Sequence, residues 1–201
     1  MTKIIIPRPT PEAVDSYLKK WDKLENYHLQ EDALNKLFFK LCPCNKDMSD
    51  ILLKVAALND FYSTNIFSVY PVAKHILELN IDERLKFGDV KLVSELQKVE
   101  LKDGVTKYFY SFASKYCSHH NPSDFPIFDN YVEKVLCYFG KKDGFSKFKK
   151  EDLKNYEVFK HTLIELCCFY GLCKYNLKEI DRFIWQLGKE FFPKNYRKKT
   201  K

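Results

Sequence analysis

The sequence predicts an all-α fold. Three observations carry that prediction. Apolar residues recur at helical spacing through nearly the whole chain, glycine is scarce at 6 of 201 residues, and no stretch alternates strongly between apolar and polar side chains. A hydrophobic content of 45%, with 16% aromatic residues, can support a sizeable core, and 30% charged residues cover its surface.

The elements follow in order. Thr10-Pro11-Glu12 reads as a helix start, a capping hydroxyl followed by proline at the first position. Val14, Tyr17, Leu18, Trp21 and Leu24 then recur on one face. A second helix is expected over 31–41, with Leu34, Leu37, Phe38 and Leu41 inward and Pro43 ending it. Ser49 is expected to cap a helix that is apolar almost all round from Ile51 to Leu58, so it should lie centrally. Residues 59–65 read as a polar bend. Pro71 opens a helix to about Leu79, and Asp82 and Asp89 are candidate caps for two more. Lys102-Asp103-Gly104 is a turn. From Thr106 a helix carries Tyr108, Phe109, Phe112, Ala113 and Tyr116 inward, and 119–126 reads as a loop. Asp129 caps a helix over 130–139, and 140–144 is a second loop. An apolar helix covers about 156–170, closed by Gly171. The last, 177–192, sets Ile180, Phe183, Ile184, Leu187 and Phe191 on one face before Pro193.

One domain of two lobes is expected over 1–192. The first lobe spans about 50–139, and the second combines 10–49 with 145–192. A basic tail, 193–201, reads as disordered. The formal net charge is +7. The tail carries five positive charges and no acid, which leaves +2 for the body, so composition alone does not mark a nucleic-acid binder. Lys194, Arg197, Lys198 and Lys199 are nonetheless candidate phosphate contacts. The seven cysteines are scattered and odd in number, without zinc-finger or iron–sulfur spacing, and read as reduced thiols. No metal or cofactor is implied. A phosphate-cradling Gly-rich loop is absent. No run approaches the ~18 apolar residues of a membrane span, and the apolar N-terminal stretch is too short for a signal peptide, so a cytoplasmic protein is expected. The oligomeric state stays open.

Asp129 is the residue that invites a chemical reading. Pro126-Ile127-Phe128 delivers it to a helix start, where the dipole and first-turn amides favour its charged form. Its plain role is a helix cap. As an anion it could also stabilise developing positive charge or orient a water.

The order of helix, turn, apolar run and capping Asp resembles DNA glycosylases of the helix–hairpin–helix superfamily, endonuclease III and its relatives. The residues that carry the resemblance are Ser111-Phe112-Ala113-Ser114 and Pro126-Ile127-Phe128-Asp129-Asn130-Tyr131-Val132, and it extends over about 50–139. It implies extrusion of a modified base from duplex DNA, with Asp129 stabilising the sugar cation or orienting water. It also implies that Asn59 enters the vacated stack and that Tyr62, Tyr110 and Tyr131 are candidates to contact the base. The family's lysine nucleophile is replaced by Ser111, which cannot form a Schiff base, so any activity should be monofunctional. Lys115, one helical turn later, could reach the same face. The family's Leu-Pro-Gly-Val/Ile-Gly hairpin is represented by Gly104-Val105-Thr106-Lys107-Tyr108-Phe109-Tyr110, which lacks the proline and second glycine. Two other classes fit the chain: an inactive DNA-binding or scaffold protein of the same fold, and a helical protein-interaction module.

Overall fold

The computed structural model describes residues 6–101 and 104–193. The tail candidates Lys194, Arg197, Lys198 and Lys199, and residues 102 and 103 of the turn, lie outside the described residues. Ten α-helices make up most of the described chain: α1 (Pro11–Trp21), α2 (Glu25–Lys36), α3 (Met48–Tyr62), α4 (Val69–Leu79), α5 (Asp82–Lys86), α6 (Lys91–Leu96), α7 (Tyr110–His120), α8 (Asn130–Asp143), α9 (Tyr156–Phe169) and α10 (Leu177–Phe191). The fold is all-α. A π-helical turn, Leu37–Leu41, prolongs α2, and a short 3₁₀ turn, Lys150–Lys154, precedes α9.

Between α6 and α7 the chain forms an antiparallel ribbon of β1 (Lys98–Glu100) and β2 (Thr106–Tyr108), with Lys98 opposite Tyr108 and Glu100 opposite Thr106. The helix expected from Thr106 therefore starts four residues later. Of the six strand residues only Val99 is buried, so the ribbon leaves almost no apolar pattern in the sequence. Three other boundaries moved for local reasons. Asp47, not Ser49, caps α3, accepting from the Ser49 and Asp50 amides at 2.9 and 3.1 Å. Asp82 lies inside α5, and its carboxylate instead accepts from Asn45 N and Nδ2 at 3.0 and 2.7 Å. Helix α8 runs through Gly140 to Asp143 and ends at Gly144 in left-handed backbone, while glycine at 140 admits the Phe148 ring, which a Cβ there would meet at 2.9 Å.

A continuous apolar core runs through the described residues and includes Val14, Leu34, Val55, Leu58, Phe112, Tyr116, Phe159 and Phe183. Helix α10 buries Ile180, Phe183, Ile184 and Leu187, as its spacing predicts. It lies against α1 and α8. Tyr17 OH donates to Glu190 at 2.8 Å, and Gln186 Nε2 donates to the Tyr17 carbonyl at 2.9 Å. Gly188 sets the approach to α8: a Cβ there would lie 2.6 Å from that of Tyr131. The two ends of the described chain are thus packed together.

A buried polar network ties α3 to α7. Lys54 Nζ, wholly buried, donates to the Cys44 carbonyl at 2.9 Å and to Asn45 Oδ1 at 2.7 Å, and lies 3.4 Å from His120 Nε2. Tyr116 OH donates to the same Asn45 oxygen at 2.6 Å. Burial lowers the Lys54 amine to about 8 and the His120 imidazole to about 3. Residues 119 and 120 therefore belong to a helix end and the core, not to the loop expected from sequence. Lys54→Met leaves buried acceptors without a donor and is expected to cost about 1–3 kcal/mol in urea denaturation. The lysine binds a proton more weakly folded than unfolded, so wild-type stability rises with pH from about 8 to the unfolded value of 10.5. The methionine variant lacks that rise, and its deficit widens over that interval.

Candidate active site

A partly enclosed pocket lies where α1, α2 and α10 meet the end of α3 and α7. Its cavity volume is about 70 Å³, below the usual range for small-ligand sites. Three aromatic side chains form one wall. Trp185 meets Trp21 edge-on at 5.8 Å and Tyr27 at 5.0 Å. Polar groups from four helices and one loop line the rest, with Lys115 and Asp129 among them.

Asp129 sits in extended backbone immediately before α8. One carboxylate oxygen, Oδ1, accepts from the Tyr131 and Val132 amides at 2.8 and 3.0 Å. The other oxygen receives no hydrogen bond from the described residues. Asp129 is thus a helix cap with one acceptor to spare, and it lines the pocket.

Lys115 is the buried cation of the site. Its side chain is only 3% exposed. Its amine donates to Ser111 Oγ at 2.6 Å and to the Phe128 carbonyl at 3.2 Å, and lies 5.3 Å from the centre of the Tyr62 ring. The i, i+4 spacing on α7 brings the amine to the serine. Burial pulls its proton affinity down, Asp129 and Asp181 oppose that pull, and Lys178 adds to it. Desolvation is one way in which proteins activate a lysine as a nucleophile. Tyr62 also lines the pocket, with its hydroxyl 3.0 Å from His119 Nε2, and burial raises its phenol well above the usual range.

Other sequence candidates have different work. Asn59 lies inside α3, and its amide is fully engaged: Nδ2 donates to the Ile66 carbonyl at 3.0 Å, and Oδ1 accepts from Ile66 N at 2.9 Å and Thr64 Oγ1 at 2.8 Å. It pins the loop after α3 and is not free to enter a duplex. Tyr110 donates to the Leu153 carbonyl at 3.0 Å and packs on Phe128 at 4.5 Å. Tyr131 packs beside Gly188 and Trp185. Neither tyrosine lines the pocket. Ser111 does not line it either, but holds the Lys115 amine.

One wall of the pocket comes from residues that no motif in the sequence marks. Lys178, Asp181, Arg182 and Trp185 stand at i, i+3, i+4 and i+7 on α10, a stripe beside its buried face. That spacing was legible. What it faces was not, because Trp21, Tyr27 and Glu31 are about 150 residues away in sequence. Glu31 joins the two: Arg182 donates to it at 2.8 Å and Lys178 lies 3.3 Å away. Burial would raise the Glu31 carboxyl, but the two cations outweigh it and hold the group below its usual value. Trp21 Nε1 and Arg182 Nε are buried donors with no acceptor among the described residues. Among those residues no group of three or more His, Cys, Asp or Glu side chains is placed to hold a metal ion. No described helix is long and apolar enough to cross a membrane.

The chain belongs to the HI_0787_N family. The model of that family, described as an N-terminal domain, matches residues 13–124. A Haemophilus influenzae protein described as an uncharacterized protein is 57% identical over 138 residues, which cover 68% of this chain and 65% of the relative. The chain therefore spans about two thirds of that relative's length, or slightly less. No solved structure matches it.

Proposed function

We propose that this chain is a DNA glycosylase that draws a modified base out of the duplex into the pocket between α10, α2 and α7. One observation carries the reading: the Lys115 amine and the Asp129 carboxylate line the same aromatic-walled pocket. In this reading the free oxygen of Asp129 stabilises the sugar cation as the base departs. The Lys115 amine, held against Ser111 Oγ, is placed to attack the anomeric carbon. A Schiff-base route is then open, although Ser111 stands at the family's lysine position. The test is base release from duplexes carrying oxidised, deaminated or alkylated bases, with borohydride added to trap an enzyme–DNA adduct. A trapped adduct lost in Lys115→Met supports the lysine route. Release without trapping leaves the monofunctional route with water. No release from any duplex overturns the proposal.

The loop pinned by Asn59 supplies the other half of base extrusion. Ser63 and Asn65 adopt left-handed backbone with φ of 50° and 60°, and Phe67 at its end is 100% exposed. An apolar side chain on a stiff loop can fill the gap left by an extruded base. Phe67→Ala is expected to weaken duplex binding by roughly 1–3 kcal/mol with an unchanged melting temperature. Fluorescence anisotropy on an abasic duplex checks it.

One observation favours the inactive DNA-binding reading. Residues 98–100 and 106–108 pair as a ribbon, not as the glycine-lined hairpin that grips phosphate in the helix–hairpin–helix glycosylases. Salt-sensitive duplex binding without base release would select that reading.

A further inference from the structure

Asp181 stands out among the pocket groups because it makes no hydrogen bond or ion pair with any described residue, although it lines the pocket beside Asp129 and Lys115. The neighbouring Glu31 shows the contrast, since it is clamped by Lys178 and Arg182. Its carboxyl is half-buried in the pocket wall and unpartnered, so it is free to meet a ligand. Two donors in the same walls, Trp21 Nε1 and Arg182 Nε, are also without acceptors.

Resting on the glycosylase reading, we infer that Asp181 is the proton donor to the departing base, and that the base is uncharged, oxidised or deaminated rather than alkylated and cationic. The two carboxyl groups then divide the work. As the C1′–N bond breaks, its electron pair leaves with the base. The proton on Asp181 moves to a ring nitrogen or carbonyl oxygen of that base, which departs neutral, and Asp181 becomes a carboxylate. Asp129 holds the sugar cation until water or the Lys115 amine bonds to C1′. The proton lost by that nucleophile passes to solvent, from which Asp181 is recharged. A base that already carries a positive charge leaves without this help.

The groups facing Asp181 come from each neighbouring element: Glu31 from α2, Tyr62 from α3, Lys115 from α7, Asp129 at the start of α8, and Lys178 and Arg182 on α10 itself. Burial raises the Asp181 carboxyl to about 7; Lys178 and Lys115 act to lower it, and Asp129 and Glu31 to raise it further.

The experiment is single-turnover base release by wild type, Asp181→Asn and Asp181→Glu. The duplexes carry one uracil, hypoxanthine, 8-oxoguanine or 7-methylguanine, and the range is about pH 5–9. Wild type is expected to release at least one neutral base faster than cationic 7-methylguanine, with a rate that falls above about pH 7 as the acid is lost. Asp181→Asn should slow that release by roughly 10²-fold and abolish the alkaline fall, and Asp181→Glu should restore part of both. A variant within twofold of wild type, or one that keeps the alkaline fall, overturns the inference while the glycosylase reading stands. Preference for 7-methylguanine overturns the substrate class. No release by wild type from any duplex overturns both. Melting curves guard against misfolding and carry a sign of their own. A carboxyl raised on folding costs stability above its folded value and costs nothing below its unfolded value of 3.8. Asp181→Asn should therefore melt higher than wild type near pH 8 and alike near pH 3.

Discussion

Under the proposed glycosylase reading, Asp129→Asn is expected to slow base release by roughly 10²–10³-fold, the usual loss when one aligned electrostatic stabiliser is removed, while the protein stays as stable as wild type. The substitution separates the two roles of this residue. Asparagine caps a helix about as well as aspartate, and its side-chain oxygen can still accept from the Tyr131 and Val132 amides that Asp129 Oδ1 serves. What it lacks is the negative charge on the oxygen that serves neither amide. Asp129→Ala should lose the charge and also about 0.5–2 kcal/mol of stability from the lost cap. The measurement is single-turnover release beside urea denaturation for both variants. If Asp129→Asn releases base at the wild-type rate, Asp129 is a cap and nothing more.

Lys115→Met is expected to abolish the borohydride-trapped adduct and to raise stability by roughly 0.5–2 kcal/mol, the common gain on relieving a strained functional group. The amine is almost wholly buried with no carboxylate bonded to it, and, unlike the Cys44 carbonyl that Lys54 serves, the Phe128 carbonyl keeps donors without it, accepting from Ser111 Oγ at 3.1 Å and Ser114 Oγ at 3.3 Å. Burial lowers its proton affinity in the folded state. The unfolded chain then binds the proton more tightly, so wild-type stability rises with pH up to the unfolded lysine value of 10.5. The advantage of the methionine variant should be largest near neutral pH and shrink in alkali. Thermal melts at two pH values check the sign. A variant less stable than wild type at neutral pH would show that the lysine is held for structure. Gain of stability with loss of the adduct is the pattern of a group retained for chemistry.

Much of the fold was legible because its helices are long and amphipathic. The faces of α1 and α10 and the cap at Asp129 follow from spacing and from capping chemistry alone. Lys115 was readable in the same way, as the residue one turn from Ser111. The ribbon of 98–100 and 106–108 was not, because two three-residue strands with one buried side chain carry no period. Asn59 misled for a different reason. A polar residue near a bend can face a ligand or satisfy the bend's own backbone, and composition cannot distinguish the two. The pocket was illegible as a whole, since its walls come from opposite ends of the described chain. Only the stripe of Lys178, Asp181, Arg182 and Trp185 hinted that α10 has a second face to occupy.

The closure of α10 onto α1, with Tyr17 bonded to Glu190, has a consequence for biosynthesis. A ribosome extends the chain from α1 toward α10, so the nascent polypeptide carries Lys115 before Asp129 and long before Asp181. Until α10 emerges, the pocket has Trp21, Tyr27 and Glu31 but lacks Trp185 and Asp181. Contacts that span most of the sequence also form late, because a long loop must be closed first. The pocket is thereby completed only with the arrival of α10.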